Sequence, residues 1–200
     1  MRVVSQVFRF LSVVLAGLAL SLAVSHALEM PAKLRLPAHD YLIVQQIYAA
    51  FGAAGAILEP AAVVCAFVLA FLVRGGRALR PALAGALCLT AALLIWVAIV
   101  NPVNTQWQAA GALNVPDNFE SLRMRWEWGH AARAALILAG FVALVIAVLT
   151  DMSAAAVAAV KLTVPRATTT NAAEAKAAPR DENAADVIVP PDKPGKNAAA

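Results

Sequence analysis

The chain has 200 residues, 62% of them hydrophobic and 14% charged, with mean hydropathy +0.73 and a formal net charge of +4. Soluble domains run nearer ~45–50% apolar and ~25% charged, so an ordinary soluble globule is excluded and the lipid bilayer is the first partner implied. The Lys and Arg are dispersed, with no basic stripe interleaved with aromatics, which argues against a nucleic-acid partner. Nothing in the composition points to a protein partner.

Four apolar stretches follow in chain order: Phe10–Leu28, Ile47–Val73, Ala82–Val100 and Ala131–Thr150. Each is near the ~20 residues that an α-helix needs to cross ~30 Å of hydrocarbon. The expected fold is all-α, a four-helix transmembrane bundle over residues 1–160. The first stretch could be a signal peptide, because Arg2 and Arg9 precede it and Ser25-His26-Ala27 is a passable cleavage site. Its continuation to Leu28 and the charged Glu29 favours a retained helix. Cys65 and Cys88 sit singly in the second and third stretches, without the paired spacing of a zinc or redox motif.

The second and fourth helices read as longer than a crossing needs. Tyr41 to Val73 reads as one helix that tolerates Pro60 as a kink. Asp117-Asn118-Phe119-Glu120 is similar to a capping box, which would start the fourth helix near Asn118. Both would project beyond the outer membrane face, with the Pro31–Asp40 and Pro102–Pro116 connections folded against them. Trp96, Trp107, Trp126 and Trp128 all map near that level, as an aromatic belt would. Residues 161–200 have no aromatic residue and are rich in Ala, Lys, Asp and Glu, the composition of a disordered tail.

Orientation follows from basic residues near helix ends. Arg74, Arg77 and Arg80 fill the short second connection, Arg2 and Arg9 precede the first helix, and Lys161 and Arg166 follow the last. Both termini are therefore expected on the cytoplasmic side of a bacterial inner membrane. The polar residues at the opposite ends of the spans are His26, Glu29, Glu59, Asn101, Asn104, Arg123, Glu127, His130 and Arg133. Ionisable groups at membrane depth are expensive and tend to mark function. On the second helix Tyr41, Gln45, Tyr48, Gly52, Gly55 and Glu59 recur every three or four residues. On the fourth, Glu120, Arg123, Glu127, His130 and Arg133 do the same, and on the first Ser21, Ser25 or His26, and Glu29. Three such stripes predict a shared polar pocket in the outer half of the bundle.

Several chemistries could use such a pocket. His26, Glu29, Glu59, Glu127 and His130 are similar to a bundle di-iron set, but one Glu is missing and Arg123 and Arg133 would repel a divalent ion. A haem held by His26 and His130 lacks an attachment motif, so no cofactor is required by the sequence, with metal and haem left open. The residues could instead be structural, Glu59 neutralising Arg133 and Glu127 pairing with Arg123. The remaining reading is a site for a hydrophobic small molecule, walled by Trp126 and Tyr48 and lined by His26, Glu29, Gln45, Glu59, Asn101, Arg123 and Glu127.

The strings His26-x-x-Glu29-x-Pro31-x-Lys33, Gln45-x-x-Tyr48, Glu59-Pro60, Asn101-Pro102-Val103-Asn104 and Trp126-Glu127-x-x-His130-x-x-Arg133 resemble a membrane family of unknown function that includes the anthrone oxygenases. The resemblance covers residues 10–150, and the Glu-Met-Pro-x-Lys and Trp-Glu strings are similar to its bacterial branch. It implies a four-helix bundle that oxygenates an anthrone to an anthraquinone without an evident cofactor motif. It also implies Asn104, Trp126, His130 and Arg133 as pocket residues. On that reading His130 would be a general base, with Arg133 and Asn104 stabilising an enolate or phenolate oxygen. The alternatives are a proton-coupled or small-molecule transporter using Glu59, and a non-catalytic scaffold whose tail recruits a partner.

Overall fold

A computed structural model describes residues 2–111 and 114–163, and among these only helices and short turns occur. The helices are α1 (Arg2–Lys33), α2 (Ala38–Gln45), α3 (Ala49–Leu72), α4 (Leu79–Ile95), α5 (Asn101–Ala110) and α6 (Phe119–Thr163). A 3-10 turn at Gln46–Tyr48 joins α2 to α3, and a π turn at Trp96–Val100 joins α4 to α5. Four continuous rods result, Val3–Lys33, Ala38–Leu72, Leu79–Ala110 and Phe119–Ala154, each long and apolar enough to cross a membrane. The protein is thus an all-α bundle with the properties of an integral membrane protein.

All four rods outrun their apolar cores, the first and third as well as the second and fourth. The third was expected to close at Asn101, because the following Pro102 lacks the N–H that continues a helix. It runs on to Ala110 instead. Pro102 deprives the Ala98 carbonyl of its helical donor, and Arg125 Nη2 from α6 donates to that carbonyl at 3.3 Å. Gly111, with φ 79°, then ends α5, its N–H donating to the Trp107 carbonyl at 3.0 Å. The start of α6 falls at Phe119, where the Leu122 N–H donates to the Asn118 carbonyl at 3.1 Å. Lys161–Thr163 still belong to α6. The remainder of the expected tail, 164–200, lies outside the described residues.

The core has two tiers of different composition. In the apolar part of the spans it is built from small residues: Ala16, Ala19 and Ala23 of α1 meet Ala62, Ala66 and Ala70 of α3, with Ala82 and Ala86 of α4 and Ala134 of α6. Inside lipid the hydrophobic effect does not press helices together, so close backbone approach and dispersion must do so, and small side chains permit it. At Gly85 of α4 an added Cβ would fall 2.7 Å from Leu144 Cγ and 3.0 Å from the Gly140 carbonyl oxygen. The α4–α6 crossing is therefore set by glycine on both helices. Beyond this tier lies an aromatic one: Tyr41, Leu42, Val100, Val103, Trp107, Phe119, Leu122 and Trp126. It fills the space between α2, α5 and the first turns of α6, and gives the rod ends a core of their own.

Candidate functional site

The polar residues predicted to converge do so at the junction of the two tiers. His26, Glu127, His130 and Arg133 are all buried, and so is Lys33. Charges at that depth are tolerable only if paired and hydrogen-bonded. Two ion pairs meet the need, and each ties an earlier helix to α6. Arg133 binds the Glu59 carboxylate of α3 through Nη2, donates from Nε to the Ala92 carbonyl at 3.2 Å, and places Nη1 3.0 Å from His130 Nδ1. Lys33 Nζ lies 2.9 Å from Glu127 Oε1, which also accepts the Tyr41 hydroxyl at 2.7 Å.

Lys33 is the site residue that the stripes did not reveal. Its ammonium stands 4.1 Å from the Trp126 ring centroid, 4.7 Å from Tyr48 and 5.0 Å from Tyr41, an aromatic box closed on one side by a carboxylate. The signal was present: Lys33 is seven residues, two turns, past His26, so both lie on one face of α1. A lysine near an expected membrane boundary reads as a side chain reaching for headgroups, which concealed it. The expected Glu127–Arg123 pair does not form. Arg123 binds Glu120 one turn earlier and donates to the Leu36 carbonyl at 3.1 Å, because Lys33 reaches Glu127 from α1. Glu29 accepts the Tyr48 hydroxyl, and Ser21 is exposed with its hydroxyl turned back to the Leu18 carbonyl.

At the centre the two imidazoles lie against each other, their planes tilted by 41° and the His26 and His130 ring centroids 4.2 Å apart. Trp126 flanks both, 4.1 Å from His130 and 5.1 Å from His26, and its Nε1 donates to Asn104 Oδ1 at 2.8 Å. Trp128 is exposed, as a belt residue would be, whereas Trp107 and Trp126 are buried. Trp96 starts the π turn and borders the site.

Two adjoining cavities meet at this pair. The inner one, about 120 Å³, has walls from Leu22 and Ala23 of α1, Phe51 and Gly55 of α3 and Leu93 of α4, with Glu59 and Arg133 among its polar groups. The outer one, about 550 Å³, is rich in amides: Gln45, Gln46, Asn101, Asn104 and Gln108, beside Tyr48, Trp107 and Trp126. His26, Gly52, Ala56, Trp96 and His130 border both. Pro60 has no N–H to give the Ala56 carbonyl, so the helix leaves an acceptor without its usual donor where the two cavities join. Buried polar atoms without a hydrogen-bond partner among the described residues include His26 Nδ1, Gln45 Nε2 and Trp107 Nε1. Such atoms are costly to leave unmet, and water in the adjoining cavities can supply their partners.

Of the predicted site residues, His26, Gln45, Tyr48, Glu59, Asn101, Asn104, Trp126, His130 and Arg133 border the cavities, while Glu29, Arg123 and Glu127 stand behind them. Among the described residues no three of His, Cys, Asp and Glu form a group that could hold a metal ion. Lys33 and Arg133 already occupy Glu127 and Glu59, which takes apart the set His26, Glu29, Glu59, Glu127 and His130. A haem between His26 and His130 has no room, since their ring centroids are only 4.2 Å apart. Comparison of the chain with family models, with curated proteins and with solved structures finds no match.

Proposed function

We propose that the protein is a membrane enzyme which takes a hydrophobic hydroxyaromatic or quinone-like molecule from the lipid phase and transfers a proton at it, as the resemblance to the anthrone oxygenases implies. The observation that carries this reading is the His26–His130 pair, in ring-to-ring contact and bordering two cavities at once, backed by Trp126 and by two ion pairs. The inner cavity approaches the ~150 Å³ that holds a benzene ring in an engineered core, so it suits one six-membered ring. A fused three-ring molecule would extend past Gly52 and Ala56 into the outer cavity.

For an anthrone the balance is simple. A methylene proton passes to an imidazole, the electron pair delocalises onto the ring oxygen as an enolate, and dioxygen oxidises that enolate. One oxygen atom becomes the new carbonyl and the other leaves in water with both methylene hydrogens. Basic residues at Arg2, Arg9, Arg74, Arg77 and Arg80 support placing both termini in the cytoplasm of a bacterial cell, with the site toward the outer leaflet. A proton-coupled carrier working through Glu59 is less well supported, because Arg133 holds that carboxylate.

The test is anthrone oxidation by the purified protein in nanodiscs, followed by dioxygen uptake and anthraquinone absorbance. The expected result is a rate above the protein-free control that falls ~10²–10⁴-fold in His26→Ala/His130→Ala. A rate equal to the control removes the proposal.

A further inference from the structure

We infer that the two adjacent histidines have opposite and fixed roles: His130 presents a hydrogen-bond donor to the ligand's oxygen, and His26 is the group that accepts the proton. This rests on the proposed enzymatic reading for its substrate, but its first half stands on geometry alone. Arg133 Nη1 lies 3.0 Å from His130 Nδ1. A guanidinium has only donors and keeps its charge, so the contact is a hydrogen bond only if His130 Nδ1 offers a lone pair. A neutral imidazole with its lone pair on Nδ1 carries its proton on Nε2. A second proton on Nδ1 would point N–H at N–H beside a fixed positive charge.

Arg133 cannot turn away to allow the other form. Its three nitrogens are committed to His130, to the Ala92 carbonyl and to Glu59, and its side chain is buried between α3 and α4. His130 is therefore unsuited to the role of base that the family resemblance implies, and suited to steady a developing oxyanion.

His26 differs in the respect that matters. It is 94% buried (6% exposed), it borders both cavities, and its Nδ1 has no hydrogen-bond partner among the described residues. Nothing dictates its tautomer, so it can take a proton without breaking a bond. The charged and titratable groups around it are Glu29 and Lys33 on its own helix, Tyr48 and Glu59 from the α3 side, and Glu127, His130 and Arg133 on α6, three carboxylates against two cations. With the two rings in contact, a ligand ring reaching both would present an acidic C–H or O–H to His26 and an oxygen to His130. The ligand class follows: a ring that carries a carbonyl or phenolic oxygen in conjugation with the acidic position. The proton goes to the His26 imidazole, the electron pair to the ring, and the charge to the oxygen beside His130 Nε2–H.

The chain has three histidines, His26, His39 and His130, so imidazole ¹⁵N spectra of the full-length protein in nanodiscs are readily assigned by single His→Gln variants. Near neutral pH, His130 is expected as a single neutral tautomer protonated on Nε2, and Arg133→Met is expected to release it to a mixture, while exposed His39 is unaffected. A wild-type His130 protonated on Nδ1, or on both nitrogens, overturns the assignment. The second arm is deuterium exchange at the anthrone methylene without dioxygen, with anthrone binding followed by Trp fluorescence. His26→Gln should lose exchange ~10²–10⁴-fold and bind anthrone within a few-fold of wild type, whereas His130→Gln should bind more weakly. If His26→Gln keeps full exchange and His130→Gln abolishes it, the roles are reversed: the inference falls and the proposed function survives. If the wild-type protein neither binds nor exchanges anthrone, the proposed function and the base role of His26 fall together.

Discussion

At the scale of single residues, the buried lysine is the least replaceable part of the site. Lys33 offsets the Glu127 charge and packs against three aromatic rings, so its loss leaves an unmet carboxylate in a low-dielectric space. Lys33→Met is expected to destabilise by roughly 3–5 kcal/mol, read as a lowered unfolding midpoint in detergent titrations. Adding Glu127→Gln should restore much of that loss, because a neutral amide needs no cation; a double variant as unstable as the single one would refute the pairing. Trp126→Phe keeps most of the packing but removes the bond to Asn104, and should cost about 1 kcal/mol. The sequence made His26, Glu59, His130 and Arg133 legible because helical spacing aligns them within their own helices. It also offered the Glu59–Arg133 pair that forms, but not the carboxylate that Lys33 takes. The rule for neighbours within a helix pointed Glu127 at Arg123, and only the approach of α1 to α6 brings Lys33 there first.

At the scale of elements, two glycines and a π turn decide where the site's walls stand. Gly129 of α6 faces that turn: a Cβ there would fall 2.9 Å from Val100 Cγ2 and 3.3 Å from Ile99 Cγ2. Gly129→Ala should push the turn outward with Trp96, and under the proposed function anthrone affinity should weaken several-fold while the far ends of the helices keep their packing. π turns interrupt helices where a side chain must be re-aimed, and this one begins with a residue that borders both cavities. Gly85→Leu should cost on the order of 1–3 kcal/mol by forcing α4 from α6. Gly52→Ala meets nothing within 4 Å and should be neutral or stabilising by up to about 1 kcal/mol. Melting the two variants side by side checks both; equal losses would mean that the α4–α6 crossing is not the tight one. The four spans themselves were plain in the hydropathy. The passage of the third beyond Asn101 was not, since Pro102 signals a stop unless another helix supplies the missing donor, as Arg125 does.

At the scale of the whole molecule, the bundle is asymmetric: among the described residues the buried charges of Lys33, Glu127 and Arg133 lie at one end, and the opposite end is joined by the Val73–Ala78 connection with Arg74 and Arg77. With Cys65 and Cys88 replaced, a cysteine at Gly75 should react with an impermeant thiol reagent only from the cytoplasmic side, and one at Asn114 only from the other. The opposite pattern would invert the topology. Both charge pairs also join an earlier helix to α6. Lys33 and Glu59 precede Glu127 and Arg133 in the chain and so are synthesised first. Until α6 arrives, the nascent chain carries an unmatched ammonium and an unmatched carboxylate, a configuration that membrane quality-control proteases are suited to remove. Chains cut short before Phe119 should therefore be cleared quickly, and co-expressed α6 supplied as a separate segment should rescue them.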